Sequence, residues 1–293
     1  MERINIIGCG RAASSLGRLW QDIGKVQIGG ILNRSEASAE RAVKAVGAGQ
    51  ALNTYQQFEP ARYWLIGTSD GQIEAAARAL SLACPDMTGS TVFHLCGRHS
   101  VNILTPLQDK GSQIAAVHPV RSLTDKRLSL EGFAGTACVA EGNIPALHAV
   151  QGLFEAIGGI WMPVRNIDRG LYHAAVSIIS NVTKAVAWKA QNWLVDSGLD
   201  ENMAADVTHK LLTSTREDVS RSGAKQSITG PVVRGDTSTV EAHLHSLKNV
   251  HPEDVEVYRV LALTVLDLAR ERGDLDAQIL QRFELLLGAK EDA

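Results

Sequence analysis

The chain has 293 residues, 45% of them hydrophobic, and a formal net charge of −3. That length holds a sizeable core and about two domains. The charge balance excludes a general attraction to nucleic acid or to an anionic membrane surface. No apolar run approaches the ~18 residues of a membrane span, and the short apolar start does not read as a signal peptide. Cys9, Cys84, Cys96 and Cys138 form no C-x-x-C pair, so a reduced, cytoplasmic compartment is expected.

Arg3 to Ile7 is a short, mostly β-branched run that reads as a buried strand. Gly8-Cys9-Gly10-Arg11-Ala12-Ala13 follows at once, and Ser14 to Ile23 then has helical spacing, with Leu16, Leu19, Trp20 and Ile23 on one side. Strand, G-x-G-x-x-A and helix, in that order, form the dinucleotide-binding fingerprint. Gly8 permits a tight turn, Gly10 lets a pyrophosphate approach the backbone, and Ala13 lets the helix pack closely on the strand. The helix start offers free N–H groups and a positive dipole end to phosphates. All six residues, Gly8 to Ala13, are assigned to the cofactor.

Lys25 to Leu32 reads as the second strand. The residue after that strand meets the adenosine ribose, and an Asp or Glu there suits the 2′-hydroxyl of NAD. This chain has Asn33-Arg34-Ser35 and no acid before Glu36. A guanidinium and a hydroxyl suit a 2′-phosphate, so NADP is favoured over NAD. Ser35 also reads as the cap of a helix from Glu36 to Val46, and the two roles are compatible.

Further strands are expected at Gln50–Leu52, Arg62–Thr68, Thr91–Cys96, Gln113–Val117, Thr136–Ala140 and Gly159–Met162. Helices are expected between them, the one over Ser100–Lys110 kinked at Pro106. The alternation implies an α/β fold, a doubly wound and mostly parallel sheet. Ligands bind outside the carboxyl ends of such strands, so Thr68, Ser69, Cys96, Gly97 and His118 join the cofactor set. For His118, facing a substrate and bonding the adjoining loop remain open readings. His94, Cys96 and His99 lack the paired spacing of a zinc site, and no metal is expected.

After Ile167 the strand signals stop. Asp168 to Asp196 reads as one helix, ~43 Å long at 1.5 Å per residue. Further helices are expected at about 200–221, 237–249, 253–272 and 275–288, by the same periodicity. The domains are therefore read as 1–164, a Rossmann-like NADP-binding domain, and 165–293, all-α. At 100° per residue, His173, Ser177, Asn181 and Lys184 form a polar stripe opposite an apolar arc of Val176, Ile179, Val182, Val186, Ala190 and Trp193. The helix 255–268 is apolar nearly all round, which points to a homodimer through the helical domain.

His118-Pro119, Gly135-Thr136, Tyr172-His173-Ala174-Ala175, Ser180-Asn181 and the stretch Thr229 to Asp236 make the chain resemble the Rossmann-like NADP oxidoreductases whose C-terminal half is a domain of unknown function. The layout is similar to ketopantoate reductase, pyrroline-5-carboxylate reductase and the 6-phosphogluconate dehydrogenase superfamily. Laid on ketopantoate reductase, the catalytic lysine position is His173, the first asparagine is Ser177 and the second is Asn181, of which only Asn181 is retained. The resemblance implies an NADP-dependent reductase of a small carbonyl or imine compound, with His173, Ser177 and Asn181 as its catalytic set. The rival reading is a non-catalytic NADP(H)-binding sensor or scaffold. Arg121 and Arg234 are candidate carboxylate holders.

Overall fold

The computed structural model describes residues 1–123 and 128–288. Two compact units divide the chain, Met1–Val182 and Thr183–Ala293. The division falls after the expected boundary at 164/165, which itself lies at the end of the last strand.

The first unit is built on one eight-stranded sheet. In chain order its strands are β1 (Arg3–Ile7), β2 (Gln27–Leu32), β3 (Gln50–Leu52), β4 (Tyr63–Ile66), β5 (Thr91–His94), β6 (Gln113–Pro119), β7 (Ala137–Gly142) and β8 (Ile160–Pro163). Their spatial order is β3-β2-β1-β4-β5-β6-β7-β8. The first six are mutually parallel, β7 runs antiparallel to β6, and β8 is parallel to β7. This is the doubly wound order that reverses at β1 and β4, where such sheets hold their ligands.

The helices of this unit are α1 (Arg11–Asp22), α2 (Glu36–Val46), α3 (Ile73–Ala83), α4 (Thr105–Gln108), α5 (Leu130–Phe133), α6 (Ile144–Glu155) and α7 (Arg169–Ser177). Two apolar layers fill the two sheet faces. One joins Ile4, Ile6 and Phe93 to α1, α2 and α6 through Leu16, Trp20, Val46 and Phe154. The other joins Ile7, Trp64 and Ile66 to α3 and α4 through Ile73, Ala77, Leu80 and Leu107. Alternation along β1 is what sends Ile4 and Ile6 to one layer and Ile7 to the other.

Asn5 is fully buried in the middle of β1. Its amide donates to the Glu59 carbonyl at 2.8 Å and its carbonyl accepts from Gly30 N–H at 2.9 Å. A side chain thus replaces a rung of the β1–β2 ladder, and the register shifts between Ile4 and Ile6.

Two expected helices differ in detail. The 100–110 segment is a 3₁₀ turn, Val101–Leu104, followed by the short α4, because Pro106 fits only the first turn of a helix. The long helix expected over 168–196 is interrupted. A π-helical turn, Ile178–Val182, follows α7 and closes the first unit, and α8 (Thr183–Asp196) opens the second. A π turn inserts an extra residue, so the 100° stepping that placed Lys184 on the polar stripe does not carry past Ile178.

The second unit is helical: α8, α9 (Glu201–Ser222), α10 (Ala224–Ser227), α11 (Thr237–Val250), α12 (Val255–Arg272) and α13 (Ala277–Gly288). Its core unites Val232, Val240, Ala262, Leu266, Phe283 and Leu287. Asp254 is buried, its carboxylate held by the Lys189 ammonium and by Trp193 Nε1–H at 3.0 Å. His251 and Glu253 lie close to it, and His251 Nε2 pairs with Asp196 at 2.8 Å. No helix among the described residues is long and apolar enough to cross a membrane.

Candidate functional site

The fingerprint turn is fixed by two backbone hydrogen bonds and by the close passage of the chain after β4. Gly8 has φ +76°, a region glycine enters freely, and its N–H donates to the Leu32 carbonyl at 2.8 Å. Gly10 N–H closes on the Gly8 carbonyl at 3.0 Å. A side chain at Gly8 would run into the Thr68 backbone at 2.6 Å, and one at Gly67 would meet Ala13 Cβ at 2.6 Å and the Gly8 carbonyl oxygen at 2.7 Å. The end of β4 therefore crosses the turn at backbone distance. Ala13 is buried at the start of α1.

These contacts leave a groove of about 1020 Å³, large enough for a dinucleotide. Gly8, Cys9, Gly10, Asn33, Arg34, Thr68 and Ser69 line it, as do Ser38, Tyr55, Gln72 and the small residues Ala75, Ala76 and Ala79 of α3. Arg11 and Ala12 sit in the first turn of α1 and Ser35 precedes α2, outside the lining. Ser35 holds the N-cap position of α2, yet its hydroxyl makes no capping bond. Thr68 Oγ1 is buried at the groove without a hydrogen-bond partner.

Asn33 explains why the chain carries no acid at the end of β2. Its Oδ1 accepts from Cys9 N–H at 2.6 Å, and its amide donates to the Ser38 carbonyl at 3.0 Å. The side chain is consumed in tying the fingerprint turn to α2. Arg34, the next residue, is exposed and lines the groove. Burial pushes the Cys9 thiol up to about 12, so Cys9 lines the groove as a thiol rather than a thiolate.

A second cavity of about 420 Å³ lies in the same unit. His118, Val120, Arg121 and Ser122 line it from the end of β6, and His173, Val176, Ser177, Ile179, Ser180 and Asn181 from α7 and the π turn. The structure thus brings His173, Ser177 and Asn181 together and adds His118, which sequence reasoning grouped with the cofactor. Gly97 presses between the imidazoles: a Cβ there would meet His118 Nδ1 and His173 Cδ2 at 2.9 Å each. Cys96 turns inward, its sulfur accepting backbone N–H groups of Arg98 at 3.3 Å and His99 at 3.4 Å.

His118 Nδ1 pairs with Tyr172 Oη at 2.7 Å. Burial, then the neighbouring His173 and Arg169, hold the His118 imidazole down to about 4. Arg169 is buried behind the site, its Nε donating to Glu141 Oε2 at 2.7 Å while both Nη groups have no hydrogen-bond partner. Its guanidinium stands 5.8 Å from the Tyr172 ring centre. Arg169, Glu141 and Tyr172 escaped sequence reasoning. The one signal was the position of Tyr172 beside His173 in the quoted motif.

Residues 2–119 match the Rossmann-like domain family, and residues 136–265 match a domain of unknown function (DUF2520). The chain joins a Rossmann-like domain to a DUF2520 domain. The first match carries the groove, and the second carries His173, Ser177 and Asn181. No curated protein sequence matches it. Among solved structures, the chain is similar to protein TM1727 from Thermotoga maritima, with TM-score 0.70 and 23% identity over 92% of this chain and 99% of that one. It is similar to the "putative NADP oxidoreductase" BF3122 from Bacteroides fragilis, with TM-score 0.74 and 18% identity over 91% and 98%. It is also similar to the pyrroline carboxylate reductase of Plasmodium falciparum with NADP bound, with TM-score 0.61 and 12% identity over 98% of each chain. At such identities the likeness is one of fold.

Proposed function

We propose that the protein is an NADPH-dependent oxidoreductase that reduces a small carbonyl or imine compound. The observation that carries this reading is the convergence of His173, Ser177, Asn181 and His118 on one cavity of substrate size, in the unit that holds the fingerprint groove. The groove suits a dinucleotide: Gly8 and Gly67 clear the backbone, α1 presents its N-terminus, and Thr68 Oγ1 has an unmet bond. Arg34 favours a 2′-phosphate. Structural neighbours include one solved with NADP bound.

When bound, the nicotinamide supplies the hydride, which forms the new C–H bond and leaves the cofactor oxidised. The protein then has to deliver a proton to the carbonyl oxygen or imine nitrogen. His173 is the donor in this reading, because it lines the cavity and an imidazole N–H can serve as a general acid. Asn181 orients the substrate, and Ser177 bridges the two by its hydroxyl. A homodimer through the helical domain belongs to the same reading.

The test is NADPH oxidation against a panel of 2-keto acids and cyclic imines. Turnover is expected with at least one class, and His173→Ala should lower kcat by ~100-fold or more with NADPH affinity nearly unchanged. A His173→Ala variant with normal turnover would remove His173 from the chemistry. NADPH binding without turnover on any of them would favour a cofactor sensor or scaffold.

A further inference from the structure

His118 is the second imidazole of the cavity, and one of its nitrogens is already committed. Nδ1 is paired with Tyr172 Oη at 2.7 Å, and the Nδ1–Cε1 edge abuts Gly97. A molecule in the cavity can therefore be met only by Nε2. Which atom of the Tyr172–His118 pair carries the proton decides what Nε2 offers.

The pair can be closed by either partner, and three features favour Tyr172 as the donor. Burial raises the phenol, so its O–H stays protonated. The Arg169 guanidinium, 5.8 Å from the ring centre, draws electron density from it and strengthens the O–H as a donor. Burial and the cations Arg169 and, when protonated, His173 all oppose a charge on His118; Asp70 is the group acting the other way. A neutral imidazole that accepts at Nδ1 must carry its proton on Nε2.

We infer that His118 is a further catalytic residue, presenting a fixed Nε2–H to the accepting atom of the substrate, with Tyr172 as the positioning residue that sets its tautomer. This inference rests on the reductase reading. It divides the work between two imidazoles: His118 polarises the carbonyl or imine by a hydrogen bond it never gives up, and His173 transfers the proton. A donor placed where negative charge develops lowers the barrier without itself changing charge. Gly97 is what lets the two rings share the site, since any side chain there would displace one of them.

Two measurements test it. The first is nitrogen NMR of ring-labelled protein across pH 5 to 8, assigned with His118→Gln. The wild type should show His118 neutral throughout with the proton on Nε2, and Tyr172→Phe should mix the tautomers. A proton on Nδ1, or a charged ring at pH 7, would overturn the inference whatever the enzyme does. The second uses a substrate found in the NADPH panel. His118→Leu should lower kcat by about 100-fold, His118→Gln should restore part of it through its own N–H, and Tyr172→Phe should lower kcat about tenfold with little change in KM. Turnover by His118→Leu at the wild-type rate would overturn the role of His118 and leave the reductase reading standing. Absence of turnover in the wild type would remove both.

Discussion

At the scale of single residues, buried polar groups carry more of the account than the apolar core does. His94 is fully buried at the end of β5. Its Nδ1 accepts from Cys96 N–H at 3.1 Å, and its Nε2 has no hydrogen-bond partner. Burial holds this imidazole down to about 4 from an ordinary 6.5. The folded state therefore binds fewer protons than the unfolded chain between those values. Stability from this group is complete above about 6.5 and falls as the pH drops towards 4. Between pH 7.5 and 5.0 the loss should be about 2 kcal/mol. Urea unfolding at those two pH values, for wild type and His94→Asn, measures it. The variant keeps an acceptor for Cys96 N–H, so it should lose less stability on acidification. Equal losses in the two proteins would mean that His94 is not buried neutral.

The residue scale is also where sequence reasoning stopped short. Arg34, His173, Ser177 and Asn181 could be picked out because motif position marks them, and regular helical stepping adds support for His173 and Ser177 ahead of the π turn. Asn33 stands where the sequence expects the ribose, but its tie to Cys9 N–H and Ser38 is a tertiary contact that no local pattern encodes. The same holds for Arg169 and Glu141, which meet from positions 28 residues apart.

At the scale of elements, the first strand, turn and helix were legible because each step needs a particular residue type. The β3 and α2 bounds, Gln50–Leu52 and Glu36–Val46, agree with the expected ones. The π turn at Ile178–Val182 was not legible, since the surrounding residues keep a helical pattern through it and only the backbone departs. Nor was the crossing of β4 over the turn, which makes Gly67 as necessary as Gly8. Gly67→Ala would push its Cβ into Ala13 and the Gly8 carbonyl, at a cost of about 1–3 kcal/mol in stability. It should also weaken NADPH binding, because the pyrophosphate-facing turn must shift to make room. Thermal melting with and without NADPH checks both. Unchanged melting and unchanged NADPH stabilisation would show that β4 and the turn are not so closely packed.

At the scale of the whole molecule, the described surface of the helical unit is richer in apolar side chains than a solitary unit needs. No residue of α8 is buried, and α9 buries only Ala204 over 22 residues. Trp188 is 63% exposed, Leu211 60% and Met203 60%. Large apolar surface of this kind marks an interaction site, and a second copy is the partner the dimer proposal commits to. Light scattering at micromolar concentration should give about twice the chain mass, with Leu211→Asp shifting it towards one. A wild-type monomer would contradict the dimer.

In the proposed function the fingerprint groove holds NADPH and reads its 2′-phosphate through Arg34. Fluorescence titration of NADPH and NADH into wild type and Arg34→Ala tests it most directly. Wild type should bind NADPH more tightly than NADH by about tenfold or more, a charge-assisted contact being worth ~1.5–3 kcal/mol. Arg34→Ala should lose that margin through weaker NADPH binding, with NADH affinity unchanged. Equal affinities for the two cofactors in wild type, unaltered by the substitution, would contradict the account.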